Sequence, residues 1–311
     1  MARPLRLESE AGVYHVLNRG NFRLDIFRSE KAKVTFLQCL HEACAKTGWE
    51  VHAWCLMSNH YHLAVSTPKA NLVEGMRWLQ GTFAVRFNRF RDERGHLFQG
   101  RYKSLVVDPA SGLGPLCHYI HLNPVRTKLR PVAELADYPW TSLHWLLHPK
   151  ERPLWYHPQP ALQHAGPADT PAGRRKYLDY LAWLAKDEPA QKEQQFAKMS
   201  KGWIIGTKEF AKDVYEEHAA VVGHGRRRER EMRETREEVW REALRVELRQ
   251  HRRTETDIQQ EMKSAGWKVE IATSLKARTT ATNRWLAAAL NMGGLHQVSR
   301  LVCAKQKSKQ T

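Results

Sequence analysis

Two histidines flank a single tyrosine in the run Met57-Ser58-Asn59-His60-Tyr61-His62-Leu63-Ala64-Val65, whose surroundings, with Trp54, Leu56, Leu63 and Val65, are β-prone. Successive strand side chains point to opposite faces, so His60 and His62 share one. Two imidazoles on one face are half of a metal site; the alternative is a pair of histidines hydrogen-bonded within a polar sheet face. Further on, His118-Tyr119-Ile120-His121-Leu122-Asn123-Pro124 places a carboxamide four residues after a tyrosine, which puts Tyr119 and Asn123 on one helical face. A metal pair together with a tyrosine nucleophile suggests phosphodiester chemistry. His121 is a rival ligand or proton shuttle, but two residues along a helix it projects roughly 200° away from Tyr119. His118, adjacent to the tyrosine, is a candidate for touching substrate, and Tyr102 is the rival nucleophile, more plausibly packed or stacked between Arg101 and Lys103.

The elements that must position these residues follow from periodicity. A strand is expected over Gly12 to Leu17, and a helix over Ser29 to Thr47 with Val34, Leu37, Leu40, Ala43 and Cys44 at helical spacing. A strand from Trp49 to Leu56 should pair with the histidine strand, Asn59 to Ser66. Asn71 followed by Glu74 reads as a capping box at the start of a helix reaching Phe90. A strand from Gly100 to Val107 closes the sheet, and the tyrosine helix should end near Asn123-Pro124. Strands crossed by helices predict an α+β fold with an antiparallel sheet and helices on it.

The order of these elements resembles the HUH single-strand DNA transposases with one catalytic tyrosine. Four runs carry a closer likeness: Tyr14-His15-Val16-Leu17-Asn18-Arg19-Gly20, Cys55-Leu56-Met57-Ser58-Asn59-His60-Tyr61-His62, Gly95-His96-Leu97-Phe98-Gln99-Gly100-Arg101-Tyr102-Lys103, and Tyr119-Ile120-His121-Leu122-Asn123-Pro124-Val125-Arg126. These look like the REP-associated tyrosine transposases, tied to repetitive extragenic palindromes. The resemblance covers roughly the first 145 residues and implies that His60 and His62 hold a divalent ion, Mg or Mn, with Asn123 as third ligand and Tyr119 as nucleophile. Mobile insertion-sequence relatives often carry glutamine where Asn123 stands. It further implies cutting at palindromic hairpins through a 5′-phosphotyrosine. A tyrosine has a pKa near ~10 and is a poor nucleophile at neutral pH, so such a site must favour phenolate or take the proton as attack proceeds. A DNA-binding regulator that keeps the fold without catalysis is the main rival, and a rolling-circle replication initiator is another.

Composition agrees. The 311 residues hold 50 Lys and Arg against 33 Asp and Glu, a net charge of +17 that attracts polyanions. Arg86, Arg89 and Arg91 with Phe87 and Phe90, and Phe98, Arg101 and Lys103, interleave cations and aromatics as single-strand binding requires; with Arg19 these are the expected DNA contacts of the first domain. No run of about 18 apolar residues exists and the first residues lack a signal-peptide core, so no membrane partner and a cytoplasmic, nucleoid-associated location are expected. The five cysteines, none in a Cys-x-x-Cys, read as reduced thiols.

Three regions are expected: 1–145, the HUH transposase or nuclease domain; 146–224, a Pro-rich linker or wrapped arm with short helices over Arg174 to Asp187, Phe196 to Ile205 and Glu209 to Glu217; and 225–311, an all-α extension. Arginines and glutamates crowd a solvated helix from Arg226 to Arg253. Thr280 to Val302 outlines a helix-turn-helix around Gly293-Gly294, whose second helix would present His296, Gln297 and Arg300 to duplex DNA flanking the hairpin; an ordinary helical hairpin is the other reading. Oligomeric state, monomer or homodimer, is left open by the sequence.

Overall fold

The computed structural model describes residues 7–211, 213–214, 237, 240–279 and 281–308, and the chain divides into two compact units, Met1–Ala219 and Ala220–Thr311. In the first, β1 Gly12–Arg19, β2 Glu50–Leu56, β3 His60–Thr67, β4 Lys103–Val107 and β5 Ile204–Ile205 form one sheet in the order β2-β3-β1-β4-β5. The first four strands pair antiparallel, as expected, whereas β5 joins β4 parallel. The sequence had suggested helix over Phe196 to Ile205. Only Phe196–Lys198 forms a 3-10 turn, because Ile204 and Ile205 are β-branched and dock on Val106 and Val107.

Two helices, α1 Glu30–Thr47 and α2 Leu72–Arg91, cover one face of the sheet. Helix α1 begins where the Ser29 hydroxyl accepts from the Ala32 amide, and it ends at Gly48, whose φ of 71° is the left-handed cap that favours glycine. The capping box expected at Asn71 does not form. Its amide instead accepts from Trp49 Nε1 at 2.9 Å and donates to the Thr47 carbonyl at 2.8 Å, so it ties the start of α2 to the end of α1. Beneath these helices Phe27, Phe36, Tyr61 and Phe83 interlock with ring centroids 4.8–6.4 Å apart. Phe83→Ala in such a cluster costs about 3–5 kcal/mol.

The opposite face carries α3 Leu113–His121, α4 Asn123–Arg126, α5 Ser142–Leu147, α6 Gln159–Ala165 and α7 Pro171–Leu184. Leu116, Ile120, Leu143, Leu162 and Leu181 pack there against Ala53 and Ala64 of the sheet. The stretch after residue 145 packs within the first compact unit, as a wrapped arm would. Its backbone serves both edges of the sheet. Along β2, Leu56 N donates to Trp140 O, Val51 N to Trp155 O and His157 N to Val51 O; along β4, Val106 N donates to Trp203 O and Asp108 N to Ile205 O, all at 2.8–2.9 Å. Edge strands left with open amides and carbonyls are aggregation templates, and this arm satisfies them.

The second unit holds a helical stretch over 240–250 and helices Glu255–Gln260, Gly266–Arg278, Asn283–Ala289 and Leu295–Ser308 around Leu244, Ile271, Leu275, Leu286, Val298 and Val302. The expected charged helix lies partly outside the described residues; its described part ends near Gln250, with Arg241–Glu237 and Arg245–Glu242 ion pairs. Two helices flank the Gly293-Gly294 turn as expected. Cys39, Cys44, Cys55 and Cys117 are buried free thiols and Cys303 is exposed. Among the described residues no helix is long and apolar enough to cross a membrane.

Candidate active site

Strand alternation puts His60 and His62 of β3 on the sheet face that α3 covers, with their ring centroids 5.1 Å apart and the planes nearly perpendicular at 82°. Each ring has its Nδ1 engaged. His60 Nδ1 lies 2.7 Å from Asn59 Oδ1, and the Asn59 Nδ2 donates to the Arg23 carbonyl, which fixes the amide so that its oxygen faces the histidine. His60 Nδ1 is therefore the donor. His62 Nδ1 lies 2.9 Å from Nε2 of His15, a β1 residue, and His15 Nδ1 lies 2.7 Å from the Met199 carbonyl. The Nε2 atoms of His60 and His62 take no hydrogen-bond partner among the described residues.

Burial governs the protonation of these rings. It pushes His60 down to about 4, with the Arg19 guanidinium adding to the effect, and it pushes His15 to about 4 against the opposing Met199 bond. His62 is driven well below the ordinary imidazole range by burial, then by His15, His60 and Arg126. Neutral imidazoles with free Nε2 lone pairs are metal donors. Among the described residues no group of three or more His, Cys, Asp or Glu could hold a metal.

Tyr119 stands against this pair. Its ring meets His62 edge-on at 5.8 Å, His15 at 6.1 Å and Phe196 at 5.6 Å. The Arg126 guanidinium lies over the Tyr119 ring, 4.4 Å from its centroid. Helix α3 stops at His121 rather than at Asn123, because Pro124 lacks an amide proton and restricts the residue before it; the short α4 resumes after Leu122. The contact between Tyr119 and Arg126, seven residues apart, shows that the face survives this break. Asn123 lies between them, 2% exposed, and its carboxamide has no hydrogen-bond partner among the described residues.

Residues 9–123 match the family model described as "Transposase IS200 like". Over this segment, 115 of the 311 residues, the chain is similar to the IS200-like transposases. One solved structure, described as a REP-associated tyrosine transposase bound to a REP hairpin, is similar at 15% identity over 50% of this chain and 92% of that one, with a TM-score of 0.41. No curated protein matches the chain. The transposase segment contains His60, His62, Tyr119 and Asn123. Arg126, Phe196 and Met199, which touch the same site, lie beyond it.

Other residues singled out in the sequence take different places. Arg19 pairs in register with His60 and donates to Gln99 Oε1 at 2.9 and 3.1 Å. Arg89 and Arg101 are exposed, Lys103 donates to the Ser200 carbonyl, and Arg91 pairs with Glu93. Phe98 is buried with Tyr61 and Phe83, so it is no stacking platform for bases, and Arg86 is clamped by both Glu42 oxygens between α1 and α2. Tyr102 is buried in the core on the other face from His62, which removes it as the rival nucleophile. His118, a candidate substrate contact, is fully buried between Tyr177 and His164, and His121 bonds Tyr177 and Ser142. In the second unit His296 and Arg300 are exposed and Gln297 is half-buried on helix Leu295–Ser308. Sequence reasoning missed His15 and Arg126 as site residues. Seven-residue helical spacing from Tyr119 pointed to Arg126; nothing in the sequence gave the cross-strand register that delivers His15.

Proposed function

We propose that this chain is a metal-dependent single-strand DNA endonuclease and strand transferase that cuts at palindromic, REP-type hairpins through Tyr119. The observation that carries the reading is the Tyr119 ring packed edge-on against His62, beside a second histidine, when both histidines keep Nε2 free, within an IS200-like segment. A divalent ion, Mg or Mn, held by His60 and His62 with Asn123, would act as a Lewis acid on the scissile phosphate. Tyr119 Oη attacks phosphorus as its phenolic proton is lost, and the bond from phosphorus to the 3′-oxygen breaks. The products are a 5′-phosphotyrosine and a protonated 3′-hydroxyl, with no water consumed, so the strand can be rejoined. Arg126, stacked on the ring, keeps in-plane N–H donors for phosphate oxygens and holds the phenol in place. Arg19, Arg89, Arg101 and Lys103 are the proposed strand contacts of this unit, and His296, Gln297 and Arg300 the proposed duplex contacts of the other.

Incubation with a labelled single-stranded palindrome and manganese should give a covalent adduct on Tyr119. Tyr119→Phe should abolish the adduct and leave hairpin binding intact, since only the hydroxyl is lost. An adduct that survives in the phenylalanine variant would show the nucleophile to be another residue; binding without cleavage by the natural chain would favour a regulator.

A further inference from the structure

His15 is fully buried on the face of the sheet that carries His60 and His62. Its two nitrogens are both committed, at 2.7 Å to the Met199 carbonyl and at 2.9 Å to His62 Nδ1. A carbonyl oxygen only accepts, so Nδ1 of His15 must bear a proton; the reverse tautomer would set a nitrogen lone pair against an oxygen lone pair at that distance. In the neutral ring Nε2 is then an acceptor, and His62 Nδ1 has to be the donor. The proton on His62 is thereby fixed at Nδ1, and its Nε2 is left bare. The two rings lie edge to edge along this bond, with centroids 5.1 Å apart and planes 24° from parallel, which also restrains the plane of His62.

We propose that His15 is a positioning residue: anchored by the Met199 carbonyl, it sets the tautomer and orientation of His62 so that Nε2 is presented to the metal. The proposal rests on the reading of His60 and His62 as the metal pair. Met199 follows the 3-10 turn whose Phe196 packs on Tyr119, and it lies 184 residues from His15, well outside the 9–123 transposase segment. The arm after residue 145 thus supplies part of the site through its backbone. Outer partners of metal-bound histidines fix ring tautomers in this way, and their loss typically lowers metal affinity about 10–100-fold.

The test uses the full-length protein. Long-range proton–nitrogen NMR on the metal-free, nitrogen-15 histidine-labelled chain reads each ring's tautomer, with His15→Phe and His62→Ala assigning the signals. His15 and His62 should both be protonated at Nδ1. In His15→Phe the His62 ring should become a tautomer mixture and manganese affinity, measured by titration calorimetry, should fall about 10–100-fold. His15→Gln, whose amide keeps one donor and one acceptor, should retain most of that affinity, whereas a merely structural role would move thermal stability and leave affinity unchanged. A wild-type His62 protonated at Nε2 overturns the proposal even if the phenylalanine variant fails to fold. So does unchanged manganese affinity in a folded His15→Phe. If His62→Ala binds manganese as tightly as wild type, the metal-pair reading itself fails, whatever the tautomers.

Discussion

At the scale of single residues, the site depends on which imidazole nitrogen is left free. Asn59 Oδ1 and His15 Nε2 each take a hydrogen bond from the Nδ1 of a neighbouring histidine in this reading, and burial lowers the pKa of both rings. His60→Ala or His62→Ala should therefore remove manganese binding and cleavage, by more than the roughly 10–100-fold that loss of an outer partner costs. Asn123→Ala should weaken the ion and be partly rescued by high manganese, because one ligand of several is lost. Titration calorimetry on the three variants checks this, and equal affinities in wild type and both histidine variants would remove the metal site. The types and spacing of His60, His62, Tyr119 and Asn123 were legible in the sequence because each spacing is shorter than one element. The surroundings of Phe98 and Arg86 were not legible for the opposite reason: whether an aromatic faces solvent or core, and whether an arginine finds Glu42, depends on a second element.

At the scale of elements, α3 is held by a buried polar chain that sequence reasoning had not seen. His118 bonds Tyr177 and His164, while His121 bonds the same Tyr177 hydroxyl and Ser142, whose Oγ accepts from the Trp54 amide. Burial lowers His118 well below the imidazole range and His121 to about 3. Their folded pKa values lie below the unfolded value near 6.5, so in acid the unfolded chain binds protons that the native chain refuses. Stability is fully present above about pH 6.5 and falls as pH drops toward the folded values. Between pH 6.5 and pH 5 each such histidine should cost about 2 kcal/mol. Denaturant unfolding at several pH values checks this. His118→Gln, which hydrogen-bonds without titrating in this range, should make the acid limb shallower, and an unchanged limb would show that His118 is not held neutral.

At the scale of the whole molecule, the arm from Tyr138 to Ile205 satisfies both edges of the sheet and brings Phe196 and Met199 to the site. A fragment ending at residue 145 keeps Trp140 but loses Trp155, His157, Trp203 and β5, so it should be aggregation-prone and inactive, with the β4 edge and part of the β2 edge left open. A fragment ending at Ala219, the limit of the first compact unit, should fold and nick a hairpin, with weaker binding and a shallower salt dependence than the full chain if the second unit adds phosphate contacts. Circular dichroism and nicking at several salt concentrations decide it. Activity in the shorter fragment would show that the arm is dispensable, and identical salt slopes for the longer fragment and the full chain would remove the DNA-binding reading of His296, Gln297 and Arg300.

The order of strands and helices through Asn123 was set by local pattern: alternation in β1 to β3, helical spacing in α1 and α2, proline at the end of the tyrosine helix. So was the grouping of His60 with His62 and of Tyr119 with Asn123, because a strand or helix face brings its own residues together without reference to the rest of the chain. Tertiary structure alone decided that β5 is a strand, that the arm belongs to the first unit, and that His15, Arg126 and the Met199 carbonyl complete the site. Those outcomes depend on pairings between residues as far as 184 positions apart, such as His15 with Met199. A backbone carbonyl leaves no mark in the identity of its side chain, so no reading of residue types could have named it.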